Sequence, residues 1–321
     1  MLAYFASLSP MALLRSCPGG IAQGLIWGIM ALGVYLTFRM LDVADLTVDG
    51  SFATGGAVCI MLVLRGWSPE LALVISFAAG IVAGIVTGLL HTRLGIPAIL
   101  AGILTQISLY SINLNIMGKA NQAVNINKVS FHITSNVLKL GSTIAIMAVC
   151  CVVIIAILYW YLGTEHGSAL RATGSNGNMA RAQGINTDSM KVVGLALSNG
   201  LVALSGGMLS QYQSFADVSM GRGAIVIGLA AVIIGEVLCE AIFRRGCSFY
   251  VRLGFVVLGS VIYYTVYVFV LWLKFPADDM KLLTAIVVAA FLAVPFLKRR
   301  STSSFAHLAK QNAKIAKGEE K

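Results

Sequence analysis

Apolar runs of roughly twenty residues recur along this 321-residue chain. At 1.5 Å per residue, such a run crosses a hydrocarbon core of about 30 Å. Charged residues are only 11% and hydrophobic ones 58% of the chain, against about 25% and 45–50% in soluble globular proteins. A soluble two-domain fold, a disordered chain and a disulfide scaffold are therefore excluded as classes. The expected class is all-α: a polytopic membrane protein with about nine (8–10) transmembrane helices.

The spans are placed near 19–38, 51–64, 71–90, 96–116, 141–161, 192–213, 223–238, 250–273 and 281–297. Residues 1–297 then form one transmembrane domain and 298–321 a basic cytoplasmic tail, solvated or resting on anionic membrane lipid. The net charge of +10 does not argue for nucleic acid, because the basic residues lie between apolar runs and form no single face. Short loops rich in Lys and Arg remain in the cytoplasm. Alternate loops hold fifteen and eight basic residues, and the richer set includes Arg39, Arg93, Arg171, Arg181 and Lys191. That places the C-terminus inside and the N-terminus outside, unless residues 1–14 add a further span. The N-terminal stretch lacks a small-residue cleavage site and is expected to be retained.

Glycine recurs every fourth residue at Gly20, Gly24 and Gly28, and at Gly80, Gly84 and Gly88. Each set makes a smooth stripe on one helix, along which another backbone can approach. The run 51–64 covers only about 21 Å, so it extends back through Asp45 and Asp49 or is a half-helix. Ala44-Asp45-Leu46-Thr47-Val48 has a near copy in Ala216-Asp217-Val218-Ser219-Met220, also preceding a Gly-rich apolar segment. On the assigned topology the copies lie on opposite sides, the pattern of inverted-repeat halves around a central site.

Polar residues inside spans mark a pathway or hydrogen bonds between helices. Gln106, Tyr110 and Asn113 fall at i, i+4 and i+7, one stripe on an apolar helix. Asn199, Gln211 and Tyr212 are weaker candidates of the same kind, and Asp45, Thr47 and Asp49 act as helix caps or touch solute. Glu236, Glu240 and Arg244 are four apart and share a face, which suits a structural ion pair or a gate.

The longest internal polar stretch runs from Gly163 to Lys191. Asn176 or Asn178 can cap a short helix through Met179–Ala182, Gly184 can end it, and Thr187 or Asp188 can cap the next span. A surface helix of small residues with one or two cations suits docking into a groove on a cytoplasmic partner.

The segments Arg171-Ala172-Thr173-Gly174-Ser175-Asn176, Ala180-Arg181-Ala182-Gln183-Gly184-Ile185-Asn186-Thr187-Asp188 and Gly228-Leu229-Ala230-Ala231-Val232-Ile233-Ile234-Gly235 closely resemble the inner-membrane permeases of ABC importers for branched-chain amino acids, ribose and nucleosides. Asp45-Leu46-Thr47-Val48-Asp49-Gly50-Ser51 is similar to a segment of the sugar branch, whereas Leu100–Leu104 and Leu109–Leu114 look like a sub-branch thought to take up tryptophan or tyrosine. Glu236 stands where the sugar branch has a second glycine, which argues against a sugar.

The resemblance implies a cytoplasmic coupling helix in the loop carrying Arg171, Asn176, Asn178, Arg181, Gly184, Asn186 and Asp188. It also implies an ABC ATPase subunit docked there, a permease homodimer enclosing the pathway, and an extracellular or periplasmic substrate-binding protein. No phosphate-cradling G-x-x-x-x-G-K-[ST] motif occurs, so ATP and Mg are expected on the partner and no cofactor or metal on this chain. The four histidines are scattered, and the six cysteines lack paired spacing and read as small hydrophobes. No nucleophile, acid and base are brought together as an enzyme would need. The expected role is the importer's transport subunit, for an aromatic or branched-chain amino acid. The alternative is an autonomous ion-coupled transporter or channel for a small polar solute.

Overall fold

The structure, a computed structural model, describes residues 10–124, 140–243 and 248–272, with a few isolated positions between 282 and 293. The chain divides into two compact units, Met1–Phe275 and Pro276–Lys321. All the helices and strands up to Trp272 belong to the first unit. Apart from those isolated positions, the expected ninth span at 281–297 and the tail at 298–321 lie outside the described residues, as does Arg244.

Ten α-helices and two short strands are described. They are α1 (Pro10–Tyr35), continued by a π turn (Leu36–Met40), α2 (Thr47–Leu64), α3 (Pro69–Thr92), α4 (Ala98–Met117), β1 (Asn121–Ala123), α5 (Leu140–Gly163), α6 (Glu165–Ser175), α7 (Gly177–Ala182), α8 (Thr187–Gln213), β2 (Phe215–Asp217), α9 (Ala224–Phe243) and α10 (Phe249–Trp272). Eight of the helices are long and apolar enough to cross a membrane. The protein is a multi-pass membrane protein, all-α among the described residues but for a two-stranded clip pairing Asn121 with Asp217 and Ala123 with Phe215.

The glycine stripes set which helices meet. A Cβ added at Gly24 would lie 2.7 Å from Val261 Cα, and Gly20 and Gly28 meet Val268 and Val257. As the α1 number rises the α10 number falls, so these helices are antiparallel. Gly80, Gly84 and Gly88 meet Asn199, Leu195 and Val192, which makes α3 and α8 antiparallel too. Backbones this close leave no room for a methyl group, which is the way membrane helices gain contact without a hydrophobic drive between them. By contrast α2 runs parallel to α8: Ser51 hydrogen-bonds Asn199 near one end, and Cys59 accepts from Gln211 near the other.

These directions bring the end of α1, the end of α3, helices α6 and α7 and the start of α8 to one end of the bundle. Gly174 packs on Met40, and Gly194 on Leu41, at this end. Arg39, Arg93, Arg171, Arg181 and Lys191 belong to the same end, which on the charge rule is cytoplasmic.

Between α1 and α2 the chain turns sharply. The π turn closes with Leu41 N–H donating to Leu36 O at 3.1 Å, and Asp42 adopts a left-handed φ of 54°, a conformation that a short polar side chain tolerates better than most. The following residues lead to Asp45, 3% exposed. Helix α2 therefore begins at Thr47 and includes Asp49, longer than the apolar run alone.

Cys17, Cys59, Cys150 and Cys151 are free thiols. Cys239 is disulfide-bonded, which departs from its reading as a small hydrophobe.

Candidate functional site: an inter-helix cavity and a surface helix

Two polar networks pin the start of α2. In the first, Asn199 donates from Nδ2 to Asp45 Oδ2 at 2.6 Å, while Ser51 Oγ donates to Asn199 Oδ1 at 2.6 Å. Asp45 Oδ1 accepts from the Thr47 backbone N–H at 2.9 Å, an Asx turn that leads into the helix around its N-cap Leu46. In the second, Thr47 Oγ1 lies 2.8 Å from Thr87 Oγ1, which lies 2.9 Å from Thr105 Oγ1. These hydroxyls tie α2 to α3 and α4.

The near copy makes the same turn. Ser219 N–H donates to Asp217 Oδ1 at 2.7 Å, and the helix that follows, α9, runs opposite to α2, because it packs antiparallel on α10 through Ala231 beside Gly259 and Gly235 beside Phe255. The two turns also meet. Asp49 accepts from the backbone N–H groups of Gly223 and Ile225, both at 2.9 Å, so a carboxylate on α2 caps the N-terminus of α9. A negative charge there satisfies free N–H groups and complements the helix dipole.

Of the nine pathway candidates, four line one cavity. Asp49, Gln106, Tyr110 and Asn113, together with Val218 and Arg222, surround a space of about 40 Å³. Asn113 is 0% exposed and neither its Oδ1 nor its Nδ2 has a hydrogen-bond partner. Arg222 is exposed at the rim. The remaining five lie elsewhere. Asp45, Thr47 and Asn199 belong to the networks above. Gln211 donates to Pro69 O at 2.9 Å, and Tyr212 is 5% exposed on α8.

The surface loop is more ordered than a spacing argument suggests. Helix α6 lies beyond the expected elements; Thr164 caps it by accepting from Gly167 N–H at 3.3 Å, and the Thr-Glu-His-Gly start is its available signal. Asn176, not Asn178, caps α7, accepting from Met179 N–H at 3.0 Å. Gly184 ends α7 with a left-handed φ of 83°, as glycine does at such stops. Asn186 caps α8 by accepting from Ser189 N–H at 3.1 Å, in place of the expected Thr187 or Asp188. Those two residues instead hold Arg181, which donates from Nε to Thr187 at 2.7 Å and pairs with Asp188 at 3.0 Å. Met179 is 63% exposed, and Asn178 and Arg171 are exposed as well.

Glu236 pairs with Arg39 of the π turn at 2.8 Å. This partner is on another element; Arg244, the cation expected on the same face, lies outside the described residues.

Comparison with known proteins identifies the family. The family described as branched-chain amino acid transport system, permease component, matches residues 18–294. A tyrosine transport system permease protein of Clostridioides difficile (strain R20291) is 39% identical over 85% of this chain and 89% of its own length. An uncharacterized protein of Rickettsia prowazekii (strain Madrid E) is 33% identical over 67% of this chain and 75% of its own. The autoinducer 2 import system permease protein LsrC of Escherichia coli (strain K12 / DH10B) is 27% identical over 67% and 61%. Among solved structures, PsaBC from Streptococcus pneumoniae in complex with Fab has the same fold, with a TM-score of 0.51 and 14% identity over 92% of this chain and 95% of that one. The chain thus belongs to the branched-chain amino acid permease family of ABC importers and is a multi-pass transport subunit of the cell membrane.

Proposed function

We propose that this chain is the translocating subunit of an ATP-binding-cassette importer for an amino acid, aromatic or branched-chain, and that it works as a homodimer. The observation that carries the reading is helix α7. It is a six-residue helix between a capping Asn176 and a left-handed Gly184, it presents Met179 outward, and it lies at the basic end of the bundle.

A short helix capped at both ends keeps its shape when pushed, so motion of a docked ATPase passes to α8, which starts three residues beyond Gly184. Arg171, Asn178 and Arg181 supply polar contacts around Met179. ATP and Mg belong to that ATPase, and a soluble external protein delivers the solute. The similarity to a tyrosine transport permease supports an amino acid as cargo. Asp49, Gln106, Tyr110 and Asn113 face the path. Asp45, Thr47, Asn199, Gln211 and Tyr212 act behind them, holding α2 in place as conformations exchange.

The test is uptake into proteoliposomes containing this permease with and without its ATPase and binding protein, using tyrosine, tryptophan, leucine and a nucleoside. Amino acid uptake that needs ATP and all partners is the expected result. Uptake by the permease alone, as an ion-coupled transporter or channel would show, defeats the reading; uptake of the nucleoside alone defeats the choice of cargo.

A further inference from the structure

The cavity between α2, α4 and the start of α9 combines three features whose chemistry converges. Asn113 sits near the C-terminal end of α4, 0% exposed, with both a donor and an acceptor unused. A buried amide without partners is destabilising, and such groups are rare unless something else satisfies them. Asp49 faces the same space with a carboxylate, and Arg222 stands at its rim with a guanidinium that has no ion-pair partner among the described residues.

A negative group, a positive group and an amide able both to donate and to accept are complementary to one kind of small solute, a zwitterion. The geometry points to a subsite for the charged end of an α-amino acid. The ammonium faces Asp49 and Asn113 Oδ1, while the carboxylate faces Arg222 and Asn113 Nδ2. This rests on the importer reading above and adds where, within the permease, the cargo is held.

Size decides what part of the solute fits. At roughly 10–15 Å³ per water for space measured this way, about 40 Å³ holds about three waters, the size of an amino acid head group without a side chain. The side chain therefore lies outside the cavity, along the α4 face where Tyr110 is 44% exposed. Such a subsite reads the two charges common to all α-amino acids and leaves the side chain unread. Its position suits this task, because broken helices whose ends meet inside the membrane commonly hold solute there. Asp49 has a second duty as the cap of α9, so a solute that draws on its remaining lone pairs also touches the junction between α2 and α9.

The experiment measures equilibrium binding to the purified permease–ATPase complex without its external protein. The probes are radiolabelled L-tyrosine, tyramine, which lacks the carboxylate, and 3-(4-hydroxyphenyl)propionate, which lacks the ammonium. Saturable tyrosine binding, with each analogue at least about tenfold weaker (about 1.4 kcal/mol by the usual conversion), is expected. Arg222→Gln should weaken tyrosine tenfold, and Arg222→Lys should recover part of it.

Asn113→Leu separates binding from folding. If Asn113 serves only structure, an apolar residue of similar size leaves the thermal unfolding midpoint unchanged or raises it, with no effect on tyrosine. The subsite instead requires tenfold weaker binding at an unchanged or raised midpoint. Equal affinity for all three probes, no saturable binding, or unaltered tyrosine binding in Arg222→Gln and Asn113→Leu overturns the inference, with ordered water as the cavity's only occupant. ATP-dependent uptake by the complete importer is read separately, so the importer assignment can stand while the subsite falls.

Discussion

Asn199 reaches across 154 positions of sequence to donate its amide to Asp45 at 2.6 Å. It holds a carboxylate that is 3% exposed, and its own oxygen is taken by Ser51. A buried acid depends on every donor it has, because removing one leaves desolvation uncompensated. Asn199→Ala should therefore cost about 3 kcal/mol, read as a lower unfolding midpoint of the purified permease. Ser51→Ala removes one neutral contact and should cost about 1 kcal/mol. Equal midpoints for Asn199→Ala and wild type would show that the network is not holding α2.

Asp49 caps a helix that begins 175 residues later in the chain. Asp49→Ala frees two backbone N–H groups and should cost about 1–2 kcal/mol, with faster amide exchange at Gly223 and Ile225. Asp49→Asn keeps an acceptor and should fall between. Unchanged exchange at those two amides in Asp49→Ala would remove the capping role.

Gly84 and Gly254 are both helical glycines, but a methyl group at the first meets the Leu195 carbonyl whereas nothing lies within 4 Å at the second. Gly84→Ala should force α3 away from α8 and lower the yield of monodisperse protein sharply. Gly254→Ala should be neutral or stabilising by up to about 1 kcal/mol, from helix propensity. Similar behaviour of the two variants in size-exclusion chromatography would contradict the packing described.

Helix α7 can be disturbed without touching the bundle. Gly184→Val places a β-branched residue at a φ of 83°, at a cost of about 1–2 kcal/mol, and Asn176→Ala removes a cap worth about 1 kcal/mol. The Arg181–Asp188 pair is exposed on both sides, so Arg181→Ala should change stability by less than about 1 kcal/mol. All three should reduce ATP-dependent uptake several-fold, with the unfolding midpoint lowered by no more than these local costs imply, about 2–4 °C per kcal/mol. Full uptake in all three would show that α7 is not where the ATPase pushes.

The loop shows what local spacing conveys and where it stops. Asn176 and Gly184 are legible as start and stop signals because a cap is satisfied within three residues of itself. Choosing between Asn186 and its neighbours is harder, since Thr187 and Asp188 are equally good caps by type and differ only in being engaged by Arg181. Glu236 shows the limit more plainly. Its described partner, Arg39, comes from another element far away in the chain, which spacing along its own helix does not reveal.

Membrane residence, the existence and positions of the eight described spans, and the glycine faces along which they touch were all determined by sequence alone, because hydrophobic length and helical periodicity are properties of a segment by itself. The division of the polar residues was decided only by tertiary structure. Asp45, Thr47 and Asn199 spend their hydrogen bonds on one another and on neighbouring helices, whereas Asp49 and Asn113 share a cavity with Arg222, a residue that nothing in the spacing singled out. The reason is physical: a helix's sequence says which residues share a face, but the rotation and register of its neighbours decide whether that face meets a donor, a methyl group or a space.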